Sequence, residues 1–524
     1  MDQRRLLIAS AISLLLIFAY QELVLSRYQK RQPATPTPAA SKAAPSRAPL
    51  PELASDLAAD PGGGGLVNVE TDLCRITLTP VGGRVVGLEL KGYRRSVASG
   101  SPLDLVEAGP ILPLTLQLGP GGSDARLAYR PSRTDVVVHG GDSAEVVFEG
   151  GSAAGMHIEK RYRFTGDRYL FKLAASVSGD APAPSPLGLI VTPLQADSPT
   201  AAARAVALVG DSLIEKPVKD APTTDTPFDA SAWAGFATQY FLAVAMPASG
   251  TLPAVLTGAA GVPVVRMDSA VVRRKAKFAV YGGPKDREVL VRAGHDLGRA
   301  LNFGRFWFVA IPLLHALRAL QRVTGNYGVA IIVLTVLVKL ATTPLTQTTF
   351  RNMREMQKIQ PQMAKLKERF KDDQMALQKE MMELYRRHRV NPLSGCLPMV
   401  LQLPIFVGLY NALSHAIELR HAPFALWIND LSAPDRLPIP GIPIDTPLIG
   451  AGVPVLTLVM GASMFVQQWL TPQQGDPAQQ RMMMFMPILF TYMFMNFPAG
   501  LVLYWLVNNV LTIGQQYLSL RSAT

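Results

Sequence analysis

Lys339 interrupts the apolar run "GVAIIVLTVLVKLATTPLT" at residues 328–346. Thr335, Lys339, Thr342 and Thr346 follow one another at spacings of four, three and four, so on a helix they form one polar stripe. An unpaired charge in hydrocarbon costs several kcal/mol, and the stripe therefore has to face water or polar partners. What it can do chemically is hold water and attract carbonyl or carboxylate groups reversibly. Snorkelling is the plain alternative, but Lys339 stands about nine residues, roughly 13 Å, from the far end of a span, more than its stem easily covers. A second stripe, Tyr504, Asn508, Thr512 and Gln515 at spacings of four, four and three, marks the last apolar run, and Gln402 marks another. Facing each other, these helices would line a hydrophilic groove. Hydrogen bonding between helices, with no substrate, would explain the same pattern.

Little else in the chain offers chemistry. His157 stands alone among strand-like runs, and Cys74 and Cys396 lie in unlike surroundings, which argues against a disulfide framework or a cysteine metal site. None of the glycine-rich phosphate loops occurs. A carboxylate pair for carbohydrate chemistry stays open, since such pairs need not be close in sequence. The 524 residues are 48% hydrophobic and only 17% charged, with a mean hydropathy of +0.19 and a formal charge of +12. That balance excludes an ordinary soluble enzyme and a pure bundle of spans, and fits a membrane protein carrying a water-soluble domain.

The elements that must position the stripes can be read along the chain. Residues 1–26 hold an apolar run after Arg4 and Arg5 with no small-residue cleavage site close behind, the pattern of an uncleaved anchor. Residues 27–65 form a linker rich in Pro, Ala and Gly. Residues 66–296 alternate in short runs such as "CRITLTP", "AEVVFEG" and "YLFKLAASVSG", which predict a large antiparallel sandwich. Residues 297–325 predict an amphipathic helix, with Phe306, Ile311, Leu314, Leu317 and Leu320 on one side and Arg305, His315, Arg318 and Arg322 on the other. It lies either on the membrane surface, with Trp307 at the interface, or against the soluble domain.

The lysine span, residues 326–349, leads into a basic helical hairpin at residues 350–395, where Pro361 should kink or restart the first arm. Its methionine-rich seam reads as hairpin core or as a binding surface. Four further spans fill residues 396–520. Basic charge next to a span marks the cytoplasmic side, so counting spans puts both termini in the cytoplasm and the sandwich outside.

The run ending "TPLT", together with "NPLSGCLPMVLQLPIF", "ELRHAPFALWINDLSAPD", "QQRMMMFMPILFTYMF" and "FPAGLVLYWLVNN", resembles the YidC/Oxa/Alb family of membrane protein insertases in its Gram-negative form. The resemblance implies a multi-domain membrane protein: an α-helical bundle of six transmembrane spans, made of a five-span insertase core and the N-terminal anchor. A β-supersandwich periplasmic domain of the sugar-mutarotase type and a cytoplasmic helical hairpin complete it. It implies an insertase and chaperone of the bacterial inner membrane, not an enzyme, without cofactor or metal. New inner-membrane proteins would insert and fold through a hydrophilic groove open to cytoplasm and lipid, with or without the Sec translocon. Lys339 falls on the family's groove cation, usually arginine, and Thr335, Gln402, Phe406 and Trp505 fall on other groove or substrate positions. Trp505 stands where tyrosine is common. The stripes add Thr342, Thr346, Tyr504 and Asn508, while Met353, Met363, Met375 and Met381 of the hairpin are expected to meet substrate or ribosome. Implied partners are nascent membrane proteins, the ribosome, the Sec translocon and lipids, with no direct DNA binding and a monomer as the working unit.

Overall fold

The computed structural model describes residues 65–521 except 98–99, 120–121, 152–154, 180–186, 196–202, 219, 269–273, 371–372, 389–396, 440–444, 447–449 and 471–476. The expected anchor at residues 6–25, nearly all of its linker and Cys396 lie outside the described residues.

Two sheets form the sandwich. The smaller runs in the order β4-β3-β2-β1-β7 and comprises β1 (Val67–Thr71), β2 (Cys74–Thr79), β3 (Arg84–Arg94), β4 (Pro102–Asp104) and β7 (Asp135–Val138). The larger begins with β5 (Leu116–Leu118), β6 (Arg130–Pro131), β8 (Ser143–Gly151), β9 (Met156–Thr165), β10 (Leu170–Gly179) and β11 (Leu187–Val191). It continues with β12 (Arg204–Val209), β13 (Ser212–Pro217), β14 (Thr226–Ala237), β15 (Phe241–Pro247), β16 (Leu252–Ala259), β17 (Val262–Asp268) and β18 (Lys275–Pro284). Its order is β5-β11-β17-β16-β14-β15-β18-β10-β9-β8-β6, with the β12–β13 hairpin attached to β14. The pairing departs from the antiparallel expectation at one edge, where β7 lies parallel to β1. The long excursion through β5 and β6 allows the chain to return in the same direction.

Alternation builds these strands. β9 sends Ile158, Lys160, Tyr162 and Phe164 inward and His157, Arg161 and Arg163 outward. Leu78, Val85 and Leu90 of the smaller sheet share one core with Phe148, Phe171 and Phe236 of the larger. Lys160 breaks the apolar rule, yet it is fully buried. Its ammonium meets Asp124 at 2.6 Å and donates to the carbonyls of Gly82 and Leu114 at 2.6 and 3.0 Å. Asp124 also accepts from Leu116 N and the Tyr129 hydroxyl, so the buried pair is satisfied on both sides.

Eight helices follow among the described residues: α1 (Arg287–Ala293), α2 (Trp307–Thr324), α3 (Tyr327–Arg369), α4 (Gln374–Arg387), α5 (Leu397–His415), α6 (Val455–Leu470), α7 (Pro477–Phe494) and α8 (Ala499–Arg521). A second core joins the sandwich to them, with Val244, Met246 and Tyr281 clustered with Leu290, Leu297 and the inner residues of α2, α3, α5 and α8. Along α2, Leu314 and Leu317 are buried while Trp307 is exposed. Arg318, expected on its polar side, is instead held by Asp286, Glu288 and Glu418 at 2.7, 3.1 and 2.5 Å. The helix therefore serves as a bracket between the sandwich and the helical bundle as well as an amphipathic element.

Of the kink or restart expected at Pro361, the restart does not occur. α3 runs unbroken for 43 residues through Pro344 and Pro361, so the lysine span and the first hairpin arm are one rod of about 65 Å. Proline removes one N–H and crowds one carbonyl, but the surrounding Met, Lys, Leu, Gln and Glu are strong helix formers. α4 folds back, capped by Asp373, whose side chain accepts from Ala376 N. Met356 and Ile359 are buried beside Met363 and Tyr385. Among the described residues one helix is long and apolar enough to cross a membrane, at Tyr327–Pro344, and Val455–Leu470 and Met483–Phe494 are shorter apolar helices.

Candidate functional site

The entry to α3 is set by a cap and a close approach. Asn326 accepts from Gly328 N and Val329 N while its own amide donates to Phe424 O at 3.0 Å. A Cβ on Gly328 would lie 2.0 Å from the Phe424 ring, so only glycine lets this loop seat against the helix. The loop is stiffened by Asp435, which is buried. One of its oxygens accepts from Trp427 Nε1 at 2.6 Å and the other from Leu456 N at the start of α6. Arg436 then reaches the Met495 carbonyl and the Asn496 side chain at the turn before α8. These bonds hold the ends of α3, α6, α7 and α8 in a common frame.

Within that frame the two stripes face each other. Lys339 Nζ donates to Thr512 Oγ1 at 2.7 Å, and Thr512 donates onward to Asn508 O at 2.6 Å. One turn away, Gln515 Nε2 donates to Thr343 Oγ1 at 2.8 Å. Gln402 on α5 donates to the Tyr504 hydroxyl at 2.7 Å, closing the seam from a third helix. Thr335 is buried and bonds back to Ile331 O, and Thr342 bonds back to Val338 O, so both satisfy themselves within the helix. The Phe406 ring meets Trp505 edge-on at 4.9 Å, with Phe490 and Phe494 beside it. No carboxylate lies within ion-pair reach of Lys339 among the described residues; its recorded partner is the neutral Thr512 hydroxyl.

Of the residues singled out by spacing, Lys339 and Tyr504 join the seam through their side chains and Asn508 through its backbone carbonyl; Gln402 joins it from α5, and Phe406 and Trp505 form an aromatic wall next to it. The side chains of Thr346 and Met353 lie outside the described residues. Met363 is half-buried in the hairpin seam with its sulfur 3.9 Å from the Tyr385 hydroxyl, Met381 is half-buried, and Met375 is 81% exposed. Thr343 and the Asn509–Ser463 bond at 3.1 Å were not singled out by the stripes. Thr343 stands four residues after Lys339, a spacing that could have found it; Asn509 points toward α6, a direction that only packing reveals. No group of three or more His, Cys, Asp or Glu able to hold a metal occurs among the described residues.

Comparison with known proteins bears on both halves of this architecture. The family model described as the YidC periplasmic domain matches residues 66–316, and that of the 60Kd inner membrane protein matches residues 319–524. The membrane protein insertase YidC of Geobacter sulfurreducens is 40% identical over 470 residues, covering 86% of each chain. That of Oleidesulfovibrio alaskensis is 37% identical over 560 residues, the full length of both. The chain belongs to the YidC family of membrane protein insertases. The sandwich is thus the periplasmic domain of an inner-membrane insertase, and the seam lies in the portion matching the 60Kd inner membrane protein. A crystal structure of an active YidC insertase with its first transmembrane domain resolved aligns over 87% of this chain and 93% of its own, a loose superposition with a TM-score of 0.38 at 20% identity.

Proposed function

We propose that the insertase accepts the polar outward-going segment of a nascent membrane protein between α3, α5 and α8, in a groove open to cytoplasm and lipid. The observation that carries this reading is Lys339, a cation whose recorded partner is a neutral hydroxyl. An ammonium donating to a carboxylate makes a bond charged on both sides, stronger than the same donor makes to a neutral hydroxyl. A client carboxylate therefore competes well against Thr512, and the hydroxyl takes the ammonium back on release. Partition of the client's apolar span into lipid drives the cycle, so no nucleotide and no covalent step is required. The wall of Phe406 and Trp505 offers apolar contact beside the cation.

Six spans, with both termini cytoplasmic, complete the reading. The basic hairpin of α3 and α4 then faces the ribosome, with Met375 and Met382 exposed on it, and unbranched methionines suit a surface that must accept many sequences. The Sec translocon is an occasional partner on this view. Photo-crosslinkers placed at Phe406 and Asn508 should capture a stalled client in its outward segment. Capture only from lipid-facing positions such as Trp469, with none from the seam, would overturn the groove.

A further inference from the structure

The outer face of the larger sheet carries a feature that the seam does not use. Across β9, β10 and β18 the register sets Arg163 opposite Lys172 and Lys172 opposite Ala279. Two residues along, Arg161, Ala174 and Lys277 form the next row, and Glu159, Ser176 and Lys275 the one after. All these positions point to the same side, because they differ by even steps along each strand. Beyond Lys172 the middle column is small, so the sheet sinks into a trough of about 670 Å³ floored by Ala174 and Ser176, with His295 at one end, just beyond α1.

Charge is sorted across this trough. Arg161 is occupied by Glu159 and Glu145 at 2.9 and 3.3 Å. Lys172, Lys275 and Lys277 are exposed and have no ion-pair or hydrogen-bond partner among the described residues. Lys275 and Lys277 stand two residues apart on one strand, about 6.8 Å, and Lys172 extends the line by another row. Alternate side chains of an extended peptide repeat at the same spacing. The alanine and serine floor leaves room for a main chain to lie against the sheet.

We infer that this trough binds an extended polypeptide segment with carboxylates at alternate positions. In an insertase the source is the outward segment of a client once it has reached the periplasm, and for that source alone the inference rests on the function proposed above. Lysine suits a transient hold, since its ammonium stays strongly hydrated and lacks the forked geometry of arginine. The contact is exposed, so it weakens with salt.

The test uses the full-length protein in detergent and a fluorescent peptide of alternating Asp and Thr, read by anisotropy at low and at physiological salt. Measured in the Lys339→Leu background, so that the groove cation does not contribute, binding should weaken about tenfold when Lys172, Lys275 and Lys277 are all changed to Gln, a change confined to exposed side chains. A peptide of the same composition with its Asp residues clustered should bind more weakly. Equal affinity for the triple variant, or for the clustered peptide, would overturn the assignment. So would loss of binding to phosphatidylglycerol vesicles in the triple variant with peptide binding intact, which would make the trough a lipid site. Loss of peptide binding with Lys339→Leu alone would move the acidic segment to the membrane seam. Crosslinking from Phe406 and Asn508 reports separately on the groove, so the two readings fail independently.

Discussion

Lys339 is half-buried and Lys160 fully buried, and their partners decide what each is for. Lys160 meets a carboxylate and three carbonyls inside the sandwich, so its charge is spent on structure. Lys160→Met should destabilise the periplasmic domain by about 3–5 kcal/mol, because Asp124 is left charged and buried with neutral donors alone. Adding Asp124→Asn should recover part of the loss, and hydrogen exchange in β9 of the full protein measures both steps. Lys339 spends its charge on a hydroxyl that has its own acceptor. Lys339→Leu leaves Thr512 still bonded to Asn508 O, so no polar group is orphaned and stability should change by less than about 1 kcal/mol. Insertion of clients with acidic outer segments should fall about tenfold, the effect of about 1.4 kcal/mol, while neutral clients pass. Lys339→Arg should keep most activity and Lys339→Glu should be worst for acidic clients. A variant that unfolds yet inserts every client normally would make Lys339 a structural lysine like its counterpart.

Between elements, the junction at Arg318 is the most sensitive. It ties the cap of α1, the amphipathic helix α2 and the residues just after α5 through one guanidinium and three carboxylates. Arg318→Leu should cost about 2 kcal/mol, less than the 3–5 of a fully buried pair because the group is partly exposed. Burial, with Asp286 beside it, holds the Glu418 carboxyl above its usual value near 4.5 despite Arg318. An acid whose folded-state pKa is raised stabilises below its unfolded value and loses that contribution as pH rises through the folded one. The thermal midpoint of the detergent-solubilised protein should therefore carry a component that declines as pH rises above 4.5, and Glu418→Gln should flatten it. An unchanged slope in Glu418→Gln would assign that component to other groups.

At the scale of the whole molecule, the shared core of sandwich and helices makes the periplasmic domain a packed part of the insertase and not a tethered appendage. The unbroken α3 carries the frame set at Asn326 and Gly328 straight into the hairpin, so a push on the hairpin acts on the helix that bears Lys339. The topology proposed above puts the hairpin and the sandwich on opposite sides. A cysteine at Gln378 should be labelled only from the cytoplasm and one at Glu149 only from the periplasm, both side chains being exposed. Reversal at either position would overturn the orientation.

Periodicity alone determined which residues could stand in one stripe, because helix and strand repeats are local properties of the backbone. Lys339, Thr342, Tyr504, Asn508 and Gln515 were legible in this way, as were the strand faces of the sandwich. The family motifs added Gln402, Phe406 and Trp505, which no spacing selects. Tertiary structure decided which polar groups meet: Lys339 with Thr512, Gln515 with Thr343, Gln402 with Tyr504. Those pairs are separated by 102 to 173 positions in the chain, and their meeting depends on helix rotation and packing that local sequence does not encode. Arg318 shows the same limit, since its place on a polar face was readable but three carboxylates from distant segments made it a junction. Pro361 is the converse case, where a local rule favoured a kink or a restart and the cooperative run of helix formers around it kept one continuous helix.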